Sequence, residues 1–168
     1  MIMWKWSLYI SISKNILLNI IKKLSRYTGQ LVIFTMFCIS LLLPAFTTQR
    51  IAAPYYFDPD IWYGWQVLIG GWAGIFDGTL AWYANPVLIL TLILLDLDGL
   101  DLKPLYIFYF SIIGFLLAVS SILYTRMWSD GDIPPTITDY GPGFYLWIFT
   151  FASTIVLSIG KIYNSNIE

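Results

Sequence analysis

Apolar residues in this chain gather into long uncharged runs, divided by short clusters of charge, proline and glycine. The run 31–48 would reach about 27 Å as a helix, close to the roughly 30 Å hydrocarbon core of a bilayer. It predicts a first membrane span, which Pro44 should kink or finish near its outer end. Residues 49–63 mix Arg50, Asp58, Pro59 and Asp60 with Tyr55, Tyr56, Phe57, Trp62 and Tyr63, and predict an external loop lying against the membrane. The run 64–95 would span about 48 Å as one helix, too long for an untilted crossing, so it must break. Asp77-Gly78 and Asn85-Pro86 are the two written break points. One reading places an interfacial or re-entrant helix over 62–76 and the second span over 79–95. The other spans 65–84 and follows with a short apolar dip into the inner leaflet.

Asp96, Asp98, Asp101 and Lys103 form the next polar turn, and Pro104 opens a helix well because its missing donor is not needed there. A third span is expected over 105–124. Residues 126–140, with Ser129, Asp130, Gly131, Asp132, Pro134 and Pro135, have the composition of an exposed loop. A fourth span over 140–160 is introduced by Gly141-Pro142-Gly143 and closed by Lys161, leaving a polar tail at 164–168. Ahead of the first span, residues 1–30 hold Lys5, Lys14, Lys22, Lys23 and Arg26 and no acid. Between Lys14 and Arg26 apolar residues recur at helical spacing, which predicts an amphipathic helix on the inner membrane surface. A cationic flank that only sets orientation is the plainer alternative. The pattern therefore predicts an all-α integral membrane protein: a single four-span domain over 31–163, broken or re-entrant around 62–86.

Composition points the same way. Hydrophobic residues make up 58% of the chain and charged residues 11%, against about 25% charged in soluble domains. Five basic residues of the arm, with Lys103 and Lys161, fall on the expected cytoplasmic side, and Arg50 and Arg126 fall outside. This follows the positive-inside rule and places both termini in the cytoplasm. A cleaved signal peptide is the competing reading of the first run. The charged leader is long for one, and Pro44-Ala45-Phe46 offers no small-x-small cleavage site, so retention as an anchor is expected. The formal net charge of −1 leaves no long-range attraction for nucleic acid. Cys38 stands alone, so an internal disulfide is excluded, and histidine is absent, which handicaps triad, zinc and haem chemistry. No cofactor or metal is expected.

Candidate sites follow from spacing. At 100° per residue, Gln66, Gly70, Gly74, Asp77, Gly78, Ala81 and Asn85 share an arc of about 120°. Gly70, Gly74, Gly78 and Ala81 are candidates for close packing against another helix, within the bundle or from a partner. Gln66, Asp77 and Asn85 are candidates for a polar site. Asp77 is the one acid that could lie within the membrane; in the 79–95 reading it caps that helix at the outer boundary instead. Arg50 and Arg126 could pair with Asp58, Asp60 or Asp132 as an external clasp, lipid phosphate being their ordinary partner. Asp96, Asp98 and Asp101 resemble the start of a calcium loop but lack its later ligands, so a solvated turn is expected.

Three passages, Leu42-Leu43-Pro44-Ala45-Phe46, the stretch from Gly64-Trp65-Gln66 through Gly71-Trp72-Ala73-Gly74 to Ala81-Trp82-Tyr83-Ala84-Asn85-Pro86, and Gly141-Pro142-Gly143-Phe144-Tyr145-Leu146-Trp147, stand out together. They resemble small four-span bacterial inner-membrane proteins of unassigned function over about residues 40–160. The resemblance implies a bacterial cytoplasmic membrane and carries no activity. The expected function is a non-enzymatic accessory or immunity-type protein that binds another membrane protein or a membrane-inserting toxin. The alternative is a small oligomeric channel or carrier using the polar face around Asp77 and Asn85. Expected partners are the lipid bilayer and a membrane protein or further copies of the chain.

Overall fold

The computed structural model describes residues 27–52, 55–56, 59–96, 104–126 and 135–165. The interfacial helix expected in the basic arm, the acidic turn after Asp96, Asp58 and Asp132 lie outside the described residues. Contacts divide the chain into two units, Met1–Val32 and Ile33–Glu168. Of the first, only the opening of a helix is described; the core, the sheet and the remaining helices belong to the second.

The chain is mostly helical, with a small three-stranded sheet that the hydrophobic pattern does not predict. Helix α1, Tyr27–Leu42, ends where Leu43 precedes Pro44, a position from which the helical conformation is disfavoured. The expected first span over 31–48 is corrected here: its last five residues are not helix but belong to strand β1, Pro44–Gln49. Proline is tolerated at the first position of a strand, and Phe46, Thr47 and Thr48 suit a pleated, half-buried surface.

The loop expected over 49–63 also contains strands. Ile51–Ala52 (β2) pairs with Tyr55–Tyr56 (β3), and Asp60–Tyr63 (β4) returns antiparallel to β1. On the other side of β1 runs Thr136–Tyr140 (β5), within the segment expected to be loop, giving the order β4-β1-β5. Phe46 faces Trp62 on one neighbour and Tyr140 on the other. Trp62 donates its indole N–H to Thr48 Oγ1 across the strands, at 3.1 Å.

From Gly64 the chain breaks repeatedly, as its length requires. Helix α2 covers Gly64–Gly70, a 3-10 segment covers Gly71–Asp77, and a second covers Ala81–Tyr83 before helix α3, Ala84–Asp96. Between the two 3-10 segments Gly78 adopts φ 76 and ψ 12, a left-handed conformation that glycine takes without steric cost. Its N–H reaches Ile75 O and the Thr79 N–H reaches Gly74 O, which closes the preceding turn. The helix expected to start at Thr79 therefore starts later, and Asp77 caps no helix there: it is the last residue of the 3-10 segment.

Helices α4, Pro104–Ser120, and α5, Pro142–Ser165, complete the bundle. Extended by the 3-10 turn Ser121–Leu123, α4 covers Pro104–Leu123. That stretch and Pro142–Tyr163 are long and apolar enough to cross a membrane; Tyr27–Leu42 and Ala81–Leu95 are shorter apolar helices. Gly143 lets α5 begin against the end of α1, because a Cβ there would stand 2.8 Å from the carbonyl oxygens of both Leu43 and Pro44.

Ile33, Phe37, Ala84, Leu88, Ala118 and Phe151 form the core. Beside them lies a buried row of hydroxyls. Ser111 and Ser158 share a 2.7 Å hydrogen bond between α4 and α5, and both also bond to their own helices, at Ile107 O and Thr154 O. Large apolar side chains face outward instead, among them Leu116, Leu123, Phe149 and Val156.

Candidate functional site

The ends of α1 and α4 and the beginnings of α2, α3 and α5 meet the sheet around a cavity of about 340 Å³. Phe46 and Trp62 contribute its sheet wall, Val67 and Leu68 come from α2, and Phe144 and Trp147 come from α5. Arg50, just beyond β1, and Arg126, which bridges to Thr136 at the outer side of β5, both line it and both are exposed, so they stand at its mouth.

Most polar side chains in the wall are already committed to the protein. Ser40 donates to Phe37 O, Ser121 to Ala118 O, Tyr124 to Gly78 O at 3.0 Å, and Trp82 to Leu68 O at 2.7 Å. Asn85, 6% exposed, donates to Trp82 O at 3.0 Å and accepts from the Trp147 indole N–H at 2.8 Å. Such buried groups are costly to strip of their partners, which fixes their geometry. The remaining polar groups of the described wall are the Thr79 hydroxyl and the two guanidiniums, and no acidic residue lines it. Among the described residues, neither arginine forms an ion pair with Asp60 or Asp139.

The helical wheel assumed one unbroken helix, and the chain does not supply it. Gly70, Gly74, Ala81 and Asn85 nonetheless converge on the cavity because the segment folds back at Gly78. Gly74 is packed internally: a Cβ there would meet the Thr79 side chain at 3.0 Å. Gly70 and Gly78 have open space where a Cβ would stand. Gln66 lies outside the cavity and secures the start of α2, its Oε1 accepting the Tyr63 backbone N–H at 2.8 Å. The side chain of Asp77 lies outside what the structure describes. Of the expected clasp, Arg50 and Arg126 are brought to one cavity, while Asp60 is exposed on β4 away from it.

Sequence reasoning missed Phe46, Trp62, Tyr124, Ile137 and Phe144 as wall residues, since they gather only through the sheet. The available signal lay in the quoted Ala81–Pro86 and Gly141–Trp147 motifs: Trp82 and Asn85 from one meet Phe144 and Trp147 from the other. Outside the cavity, the broken segment carries a ridge of exposed large apolar side chains: Trp65, Ile69, Trp72, Ile75, Phe76 and Leu80, with Phe76 73% exposed. Trp72 and Phe76 touch edge to face, with ring centroids 6.4 Å apart.

At the sheet, burial and then the neighbouring Tyr145 push the Tyr140 phenol above its ordinary range. Among the described residues, no group of three His, Cys, Asp or Glu side chains is placed to hold a metal. No protein-family model, curated protein or solved structure matches the chain.

Proposed function

We propose that this chain is a non-enzymatic accessory or immunity-type protein of the bacterial cytoplasmic membrane, which works by docking another membrane protein or a membrane-inserting toxin. In this reading α1, α3, α4 and α5 are the four crossings, the sheet lies at the outer face and both termini are cytoplasmic. Supporting it, α1 ends, α3 begins, α4 ends and α5 begins at the sheet. At the far end Lys161 Nζ donates to Leu95 O at 2.8 Å, joining the end of α3 to the end of α5. The short α3, about 20 Å long, is accommodated by local thinning of the bilayer.

The observation that carries the docking role is the exposed ridge on the broken segment beside the open position at Gly70. Contiguous exposed aromatics mark interaction surfaces, and a glycine without a neighbour lets a partner helix approach to backbone contact. The channel reading has less support, because Asn85 spends its amide on Trp82 and Trp147 rather than presenting it to a path.

Native mass spectrometry of the tagged full chain, extracted from its own membrane in mild detergent, tests the proposal. A second polypeptide at fixed stoichiometry is expected, lost in Gly70→Leu and Trp72→Ala while helicity by circular dichroism is retained. A lone monomer, or a homo-oligomer that both variants leave intact, would overturn it.

A further inference from the structure

We propose that the cavity holds one anionic phospholipid, with an acyl chain in the apolar interior and the headgroup phosphate between Arg50 and Arg126. This goes beyond the docking role and rests on Arg50, Arg126 and the cavity interior rather than on the exposed ridge. The volume of about 340 Å³ sits at the lower end of the roughly 300–1,000 Å³ found for sites that enclose small ligands, enough for one chain but not a folded segment. Apart from Thr79, the described polar groups of the interior wall are spent on the protein, so the interior favours hydrocarbon over any guest that needs hydrogen bonds.

The mouth has the opposite character. Thr136 pairs with Gln49 on one side and with Arg126 on the other, so Arg50 and Arg126 leave backbones about two strand spacings, roughly 10 Å, apart. Both arginines line the same cavity from neighbouring backbones, and arginine matches phosphate in a bidentate manner, so one anion at the cavity rim is within reach of the pair. With no acid in the described wall to neutralise them, an anionic headgroup is the complementary occupant. A zwitterionic headgroup would bring an ammonium against the same two cations.

The test uses the full chain reconstituted in nanodiscs of equal parts phosphatidylethanolamine and phosphatidylglycerol with identical acyl chains, released gently into native mass spectrometry. One retained phosphatidylglycerol per protein is expected, preferred over phosphatidylethanolamine by about tenfold or more. Arg50→Gln with Arg126→Gln should abolish that preference. Val67→Phe, which fills the interior and keeps both arginines, should abolish retention of either lipid, with circular dichroism verifying the fold of each variant. Equal retention of the two lipids by the unaltered protein, undiminished preference in the double-glutamine variant, or undiminished retention in a folded Val67→Phe protein would each overturn the proposal. Trp72→Ala, which lies outside the cavity wall, should remove the docked partner and leave the cavity lipid in place, so failure of one proposal is distinguishable from failure of the other.

Discussion

Asn85 shows how much one side chain can organise here. Its oxygen holds the Trp147 indole and its nitrogen holds the Trp82 carbonyl, linking α3 to α5 and to the turn before it. Asn85→Leu would leave the partly buried Trp147 N–H without a partner, at a cost of about 1–3 kcal/mol where water does not replace the bond, while the Trp82 carbonyl keeps the Ala84 N–H. A lowered unfolding midpoint in detergent is the expected result, and Trp147→Phe in the same background should cost less than it does alone, since the donor it removes is already unpaired. Tyr140 offers a titration at the sheet. Its folded pKa lies above the ordinary phenol value of 10.0, so the folded state holds the proton more tightly than the unfolded chain. Its contribution to stability is complete below pH 10 and is lost as pH rises through the folded value. Ultraviolet difference titration of the protein against Tyr140→Phe should show that the phenol lost in the variant titrates late. Asn85 and the arginines were legible as candidates because polar residues beside apolar runs stand out. Trp62 and Phe144 were not, since an aromatic at a membrane boundary reads the same whether it faces lipid or a cavity.

The elements divide according to how local their causes are. The body of α1 and the helices α3, α4 and α5 follow from apolar runs and from Pro104 and Pro142 at their starts, all readable from neighbouring residues. The sheet follows from pairings across long separations: Phe46 meets Tyr140, and Thr48 meets both Asp60 and Ile137. A short apolar stretch such as Pro44–Gln49 fits helix or strand equally by periodicity, and only its partners decide. The glycine face failed for a related reason. A 3-10 segment turns about 120° per residue, so phase reckoned at 100° drifts through Gly71–Asp77 and is lost at Gly78. Two substitutions separate glycines of opposite kinds. Gly143→Ala puts a methyl against two backbone carbonyls that cannot rotate away, and should destabilise by about 1–3 kcal/mol. Gly70→Ala meets open space in a helical conformation and should be neutral or stabilising by up to about 1 kcal/mol. Parallel denaturation midpoints in detergent check both, and equal losses would show that the junction of α1 with α5 is softer than its contacts imply.

At the scale of the whole molecule, hydroxyls are buried beside the apolar core while many large apolar side chains face outward. Thr91, Ser111, Thr150, Thr154 and Ser158 are buried, with Ser158 0% exposed, while Leu123 is 81% exposed. Burying hydroxyls that could face water and exposing leucines that could pack is unfavourable in water. In lipid it is favourable, because hydrocarbon has no preference for being inside, and hydroxyls gain by meeting one another or their own helix carbonyls. Strand β5 carries the exposed Thr138 and Asp139, which suits a sheet beyond the hydrocarbon in the proposed membrane reading. The proposed membrane reading puts the sheet outside, and cysteine accessibility checks that orientation directly. In a Cys38→Ala background, Thr138→Cys should react with an impermeant thiol reagent added to spheroplasts. Ser165→Cys should react only after the membrane is opened. The reverse pattern would invert the protein and turn the Arg50 and Arg126 mouth toward the cytoplasm, and labelling of both positions in sealed spheroplasts would put them on one side, with an even number of crossings between them. Either result would break the argument from helix polarity, since residues 138 and 165 are separated by α5 alone.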